Sequence, residues 1–258
     1  MSLTFLVLFG AAIGIGLIAS MIGIGGGLFM VPLLSLGGFV GTTQEAVGTS
    51  LAAVIFTSLS SSLAYHRQRV LDLRLGLLLL PTALLGAWSG AYLTTFISSA
   101  KLSLAFGMLM LYPATVMLRG QGPKELAQEL RGGDGQERNY SAIQVLLIGL
   151  GAGLASGFFG IGGGIVMVPA MVLLLRLEMV QAVATSLLVM GPGALIGAAE
   201  HLWQGHLHPE LALPLILGIV IGAQLGPRLS PHLPQARLRQ LFSLVLLYSA
   251  ANMILRGI

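Results

Sequence analysis

Two stretches of the chain are near copies of each other: Gly16-Leu-Ile-Ala-Ser-Met-Ile-Gly-Ile-Gly-Gly-Gly-Leu-Phe-Met-Val-Pro32 and Gly153-Leu-Ala-Ser-Gly-Phe-Phe-Gly-Ile-Gly-Gly-Gly-Ile-Val-Met-Val-Pro169. The pentapeptide Gly-Ile-Gly-Gly-Gly occupies Gly23–Gly27 and, 137 residues later, Gly160–Gly164. Each copy lies inside an apolar run. Because glycine costs a helix about 1 kcal/mol per residue relative to alanine, three in a row predict a break in a membrane helix.

The similarity continues from these motifs through the rest of both halves. Ala46-Val-Gly-Thr-Ser-Leu51 matches Ala182-Val-Ala-Thr-Ser-Leu187 at an offset of 136 residues. The same offset relates further pairs: Gly86 with Gly222, Gly90 with Gly226, Lys101 with Arg237, Phe106 with Phe242, and Tyr112 with Tyr248. One register held over a whole half-chain indicates an internal duplication. It also argues against a signal peptide at the start, because that segment has a partner in mid-chain.

Composition sets the class of protein. The chain is 55% hydrophobic and 9% charged, with a mean hydropathy of +0.92, whereas soluble domains are about a quarter charged. Its apolar runs are long enough to cross about 30 Å of hydrocarbon as helices. The net charge of +4 is typical of basic cytoplasmic loops rather than nucleic-acid binding. We therefore predict an all-α polytopic membrane protein.

Each half is predicted to hold one glycine-broken segment and three transmembrane helices. In the first repeat, residues 1–118, the segments are Leu3–Leu36 (broken), Gln44–Tyr65, Leu73–Phe96 and Lys101–Leu118. In the second repeat, residues 140–258, they are Ala142–Leu175 (broken), Met179–Trp203, Pro209–Leu225 and Gln235–Leu255. The polar, glycine-rich stretch Arg119–Asn139 is predicted to be a solvated linker.

Basic residues predict the orientation. They cluster in the linker and in two loops, where they are Arg67, Arg69 and Arg74, and Arg228, Arg237 and Arg239. The positive-inside rule places all three regions in the cytoplasm. This requires each broken segment to be re-entrant, which makes the two repeats inverted relative to each other, as in many transporters. The loop Gly205–Pro209 has no Lys or Arg and is predicted to be external.

The broken segments are the leading candidates for a binding site. A helix that starts inside the membrane offers backbone N–H groups and a positive dipole end to an anion without a charged side chain. The predicted donors are Gly25, Gly26, Gly27, Gly162, Gly163 and Gly164. The alternative is that these glycines only allow close helix packing. A nucleotide loop is excluded, because Leu28 and Ile165 stand where its lysine is required.

Other polar residues inside the spans are secondary candidates. Four hydroxyls are matched between the repeats and could donate to an oxyanion or bond back to their own helix: Thr49, Ser50, Thr185 and Ser186. We expect Gln224 to form an interhelix hydrogen bond, with substrate contact as the second role.

Two further readings concern His201. With Glu200 it could form a proton relay, although ordinary residues at the wet interface are slightly favoured. With Ser156 it could form the dyad of an intramembrane serine hydrolase. Leu154 stands where that protease pattern requires glycine, and the duplication would be unexplained, so this alternative is the weakest.

The doubled Gly-x-Gly-Gly-Gly-x-x-x-x-Pro motif, the following Ala-Val-x-Thr-Ser-Leu and the polar linker resemble the sulfite exporter TauE/SafE family, also called the toluene-sulfonate uptake permease family. The resemblance extends from Phe5 to Leu255. It implies a multi-pass transporter of the prokaryotic inner membrane that moves sulfite, thiosulfate or organosulfonates in either direction. The family's motifs fall on Gly23–Gly27 with Pro32, on Gly160–Gly164 with Pro169, and on the two Thr-Ser pairs.

The resulting expectation is a secondary transporter of a small anion that works by alternating access. A small-anion channel is the alternative. The expected partners are the anion, a coupling proton or ion, and the lipid bilayer, with a homo-oligomer left open. No enzyme activity, cofactor, metal or nucleic acid is expected.

Overall fold

The computed structural model describes residues 3–22, 24–118, 141–229 and 235–257, in which every regular element is a helix. The first repeat forms α1 (Leu3–Ile22), α2 (Gly27–Leu36), α3 (Thr43–Arg67), α4 (Leu73–Leu93), a 3-10 turn (Thr94–Phe96) and α5 (Ser99–Leu118). The second forms α6 (Ala142–Phe159), α7 (Gly164–Leu174), α8 (Met179–Trp203), α9 (Pro209–Leu229) and α10 (Gln235–Gly257).

Five of these helices are long and apolar enough to cross a membrane, and shorter apolar helices accompany them. The predicted all-α polytopic class is confirmed. The predicted linker lies outside the described residues.

Local sequence explains where several helices begin. Thr42 caps α3 by accepting a hydrogen bond from the Glu45 backbone N–H at 3.2 Å, and Asp72 caps α4 through the Leu75 N–H at 2.9 Å. In contrast, α2 and α7 begin at glycines without any side-chain cap. The half-helices therefore start without a side-chain acceptor for their first backbone N–H groups, as α6 and α8 also do, whereas α3 and α4 each have one.

Both broken segments turn back inside the bundle. Gly26 lies beside Ile15 in the middle of α1, so the chain has reversed direction after α1. At one end of the bundle, Arg256 in the last turn of α10 donates to the Ser35 carbonyl of α2 at 2.7 Å. At the other end, the Gln144 amide in the first turn of α6 lies 3.4 Å from the Leu174 carbonyl at the end of α7. The Gln144 contact places the end of α7 at the end of the bundle where α6 begins, and Gly163 beside Ala152 shows the same reversal as Gly26 beside Ile15.

The helices pack as equivalent pairs. α1 packs on α9 and, correspondingly, α6 packs on α4, while α3 packs on α8 and α5 on α10. The α3/α8 pair runs antiparallel, because Gly48 lies beside His201 whereas Ser58 lies beside Gly191. The α5/α10 pair is antiparallel as well, with Gly257 beside Leu104. Antiparallel packing of equivalent helices is what a two-fold axis perpendicular to the helices produces.

Small residues allow the closest helix contacts. In the α4/α6 pair, a Cβ atom on Gly86 would overlap the Leu150 carbonyl oxygen. In the α1/α9 pair, a Cβ atom on Gly222 would overlap the Ile13 carbonyl oxygen. Close backbone approach of this kind is the usual means of joining helices in lipid, where the hydrophobic effect does not drive helix association.

Candidate functional site

The two glycine turns meet at the centre of the bundle. The Gly160 carbonyl oxygen lies so close to Gly27 that a Cβ atom on Gly27 would overlap it. The described residues of both turns, 24–27 and 160–164, are buried. The sequence located both turns. The structure adds that they are in direct contact, so in this conformation they pack against each other rather than on opposite sides of a cavity.

Backbone geometry explains the glycines. Gly25, Gly26, Gly162 and Gly163 have φ angles of 77°, 91°, 78° and 81°, in the left-handed region that favours glycine. Gly27 is not among the residues with a positive φ angle. Glycine is needed there because a side chain would collide with the other turn. Both hypotheses for these residues therefore describe part of the structure: some glycines break the helix, and others permit close packing.

The turns carry buried backbone donors. Within the described part of the chain, no acceptor takes a hydrogen bond from the backbone N–H groups of Gly25–Gly27 or Gly162–Gly164. Buried N–H groups without a partner are rare and cost about 1–3 kcal/mol each. These groups stand at the N-terminal ends of α2 and α7, where the helix dipole is positive. The arrangement is suited chemically to an anion.

Two apolar side chains cover the turns. Val54 in α3 and Met190 in α8 occupy equivalent positions in the two repeats, and both are buried. The Met190 methyl group occupies the space that Cβ atoms on Gly25 and Gly162 would need. A Val54 methyl group lies 3.3 Å and 2.8 Å from those same two Cβ positions. Sequence reasoning did not select this pair, although the 136-residue offset relates them.

The predicted threonines bind loops of the opposite repeat. Thr49 accepts a hydrogen bond from the His208 backbone N–H at 3.1 Å, and Thr185 accepts one from the Asp72 N–H at 3.2 Å. The two contacts are equivalent under the repeat. They hold the loops that precede α9 and α4. Substrate contact by these hydroxyls stays a prediction.

The two predicted serines bond to their own helices. The Ser50 hydroxyl lies 2.8 Å from the Val47 carbonyl and 3.1 Å from the Gly160 carbonyl, so it also touches a glycine turn. The Ser186 hydroxyl donates to the Val183 carbonyl at 2.9 Å. Back-bonding, the alternative considered from the sequence, is what the structure contains.

Gln224 connects two helices. Its side-chain amide in α9 donates to the Ser60 hydroxyl at 2.9 Å and lies 3.2 Å from the Ser60 carbonyl in α3. The interhelix hydrogen bond expected first for this residue is therefore present. A substrate contact by Gln224 remains a prediction.

Glu200 and His201 are not brought together. Glu200 accepts a hydrogen bond from the Gln204 amide at 3.0 Å. His201 is fully buried, and its Nε2 lies 3.2 Å from the Gly157 carbonyl. The favoured expectation of a wet interfacial histidine is therefore wrong for His201, because α8 packs this side chain against α3 and α6. The Ser156 hydroxyl has no partner in the described part of the chain, so the nucleophile–base hydrogen bond of a serine hydrolase is not formed.

The two ends of the bundle differ in chemistry. At one end, a cavity of about 400 Å³ is lined by His66, Arg67, Arg69, Leu71 and Leu73. At the opposite end, His208 lies 3.3 Å from Glu45 and 3.0 Å from Glu210. His206 lies in the same loop, and burial lowers the pKa of its imidazole. The only feature of this loop noted from the sequence was its lack of Lys and Arg. The pairing of His208 with Glu45 could be seen only in the folded structure.

Comparison with known proteins gives one consistent result. The family model described as Sulfite exporter TauE/SafE matches residues 8–253. The chain is 32% identical to the "Probable membrane transporter protein YunE" of Bacillus subtilis, over 99% of both chains. It is 32% identical to YdhB of the same organism, over 79% of this chain and 81% of the relative. A "Probable membrane transporter protein" of Xylella fastidiosa is 30% identical over 79% and 76%. No solved structure matches the chain significantly.

Proposed function

Because this chain belongs to the sulfite exporter TauE/SafE family, and is therefore a membrane transporter, we propose that it is a secondary transporter of a small sulfur oxyanion or organosulfonate. Sulfite, thiosulfate and sulfonates are the substrate candidates, and sulfite is the one that the family description names. The anion binds at the N-terminal ends of α2 and α7. The proposed location is the inner membrane of a prokaryote, where the protein works by alternating access.

One observation carries this proposal: buried N–H groups at the start of both half-helices have no acceptor in the described part of the chain. An oxyanion would satisfy several of these donors at once. Each half-helix end contributes roughly half a positive charge, so two ends can balance an anion without a lysine or arginine. The segments Leu3–Leu36 and Ala142–Leu175 contain no basic residue. Binding without a full opposite charge leaves the anion able to dissociate.

The antiparallel α3/α8 and α5/α10 pairs support an inverted arrangement of the two repeats across the membrane. In this arrangement the cavity with Arg67 and Arg69 faces the cytoplasm, in agreement with the positive-inside rule. The loop with His206 and His208 is then external. Inverted repeats allow two states of similar energy that expose a central site to opposite sides.

The closed centre favours a transporter over an open channel. Met190 and Val54 cover both turns, and the turns touch each other, so access to the donors requires these groups to move. A methionine side chain suits this role, because it is unbranched and repacks easily. A channel would need a continuous wet path through the same region.

Flux into proteoliposomes tests the proposal. Purified protein is reconstituted, and uptake of radiolabelled sulfite, thiosulfate and a sulfonate is measured with and without a proton gradient. Saturable flux of at least one of these anions is expected. Absence of flux for all three contradicts the proposed substrate class. Non-saturable flux with a measurable conductance instead indicates a channel.

A matched glycine pair tests the site. Gly26 and Gly38 both have positive φ angles, 91° and 70°, so alanine strains the backbone similarly at each. Gly26 caps α2 at the central turn, whereas a Cβ atom on Gly38 would meet open space. Gly26→Ala should reduce flux about tenfold, the equivalent of one hydrogen bond to a charged group, and Gly38→Ala should not. Equal flux in both variants at normal membrane insertion would show that the turns only pack helices.

A further inference from the structure

Three serines follow Val54 along one face of α3. Ser61 and Ser62 follow Ser58 by three and four residues, which are the spacings that place side chains on the same face of a helix. Ser58 is 1% exposed and Ser61 is fully buried. The hydroxyl oxygens of all three are shielded from solvent and have no hydrogen-bond partner in the described part of the chain. We refer to these three residues as the serine ladder.

An unpartnered serine is unusual in a membrane helix. Serine and threonine hydroxyls normally bond to a carbonyl three or four residues earlier. Thr57, the neighbour of Ser58, does so with the Ala53 carbonyl at 3.1 Å, and Ser89 in α4 does so with the Leu85 carbonyl at 2.8 Å. A buried hydroxyl without a partner costs about 1–3 kcal/mol. Among the described residues the serine ladder therefore contributes no hydrogen bonds, and its polarity requires another reason.

The ladder lies between the glycine turns and the cavity at the basic end. At its inner end, the Ser58 Cβ is 3.2 Å from where a Cβ on Gly191 would stand, and Gly191 is the neighbour of Met190, which covers both turns. Tyr65 follows one turn after the outer two serines. The next residues of α3, His66 and Arg67, line the 400 Å³ cavity.

The second repeat has no such ladder. The equivalent positions of α8, at the 136-residue offset, are Ala194, Gly197 and Ala198. A Cβ on Gly197 would lie 3.0 Å from a Leu51 methyl group and 3.5 Å from Gly157, so this face is tightly packed. The repeat fold is thus compatible with small apolar residues at these positions. Hydroxyl groups at these positions therefore occur in α3 and not in α8.

We propose that the serine ladder is the path of the anion between the central turns and the end that carries Arg67 and Arg69. This inference rests on the proposed function and adds to it the route on one side of the site. The arginines attract the anion to the cavity, and the three hydroxyls then donate to its oxygens in turn, replacing water. Several weak neutral donors allow passage, whereas a lysine or arginine inside the path would hold the anion.

Thiol labelling tests the path independently of transport. The chain has no cysteine, so single variants need no background substitution. Ser58→Cys, Ser61→Cys and Ser62→Cys are treated with the anion 2-sulfonatoethyl methanethiosulfonate from the side that carries Arg67. Leu59→Cys is the control, because Leu59 is on the same helix and 60% exposed on the outer surface of the bundle. Faster modification of the ladder positions is expected. Modification no faster than at Leu59→Cys overturns the proposal.

A triple variant tests the role of the hydroxyls. In Ser58→Ala/Ser61→Ala/Ser62→Ala, the KM for sulfite should rise about tenfold or more, the loss that weakened hydrogen bonds to a charged group predict. The Tm should stay the same or rise, because unpartnered buried hydroxyls are removed. Ser89→Ala is the control and should leave both quantities unchanged. A lower Tm would show that the hydroxyls hold the fold and would overturn the proposal, as would an unchanged KM.

The two proposals fail in different ways. Wild-type protein that carries none of the three anions contradicts the proposed function, whatever the variants do. Normal wild-type sulfite flux, combined with an unaltered triple variant and unreactive ladder cysteines, rejects the path alone.

Discussion

The two halves of the molecule agree at the glycine turns and differ along the helices that follow them. Gly25 and Gly162 have φ angles of 77° and 78°, and the same two apolar side chains cover both. One helical turn after Val54, α3 carries the serine ladder, whereas the equivalent positions of α8 hold alanine and glycine. The backbone is thus alike where the repeats meet, because each turn packs against the other. Polarity differs along the two routes away from the centre, which lead to ends of different chemistry.

The largest expected effect concerns the symmetric backbone. Gly86→Val and Gly222→Val each place a side chain onto a carbonyl oxygen of a neighbouring helix, and overpacking of a close contact costs about 1–3 kcal/mol or more. Both variants should lose most of their folded protein, measured by size-exclusion chromatography in detergent. The equivalent controls are Gly14→Val and Gly151→Val, where a Cβ meets open space. If only one of the two interfaces proves sensitive, the halves are less alike than their packing indicates.

A smaller effect is expected at the cover of the turns. Met190→Ala removes a buried side chain that touches both turns, and the cavity it leaves lowers stability without forcing any pair of helices apart. We expect a lower Tm and increased uncoupled anion leak into proteoliposomes. Val54→Ala removes fewer atoms at the equivalent position and should have the same effects more weakly. A Met190→Ala protein with unchanged leak would show that this residue fills space and does not close the site.

The smallest expected effect concerns the end of the bundle that carries His206 and His208. Burial lowers the pKa of His206 in the folded protein, while the nearby Glu45 opposes this shift. The unfolded chain therefore takes up the proton first, near the ordinary histidine value of about 6.5. Stability is full above that pH and falls as the pH drops from it towards the lower folded-state pKa.

Thermal unfolding in detergent between pH 7.5 and 5.5 checks this prediction. The wild-type Tm should decrease towards the acidic limit, and His206→Asn should show a smaller decrease. The matched control is His66→Asn at the opposite end, where the side chain is exposed; it should follow the wild-type profile. An equal decrease in wild type and His206→Asn would contradict the assignment to this residue.

Much of the candidate site was predictable from the sequence, but the arrangement of its residues was not. The breaks at Gly25–Gly27 and Gly162–Gly164 follow from three consecutive glycines in an apolar run. The loss of helix propensity there is a local property. The role of Gln224 was anticipated for a similar reason, since a buried amide requires a partner. His201 was misjudged because its burial depends on α3 and α6, which are far away in the sequence.

The sequence by itself determined that this chain is a duplicated helical membrane protein with two broken helices. Hydropathy and glycine runs are read within short windows, because the forces behind them act over a few residues, and the duplication is read by comparing the two halves of the sequence. Only the tertiary structure decided that the turns touch, that Val54 and Met190 cover them, and that the hydroxyls of Ser58, Ser61 and Ser62 have no partner in the described chain. These properties arise from contacts between separate helices and turns, several of them in opposite halves of the chain, so no local pattern encodes them.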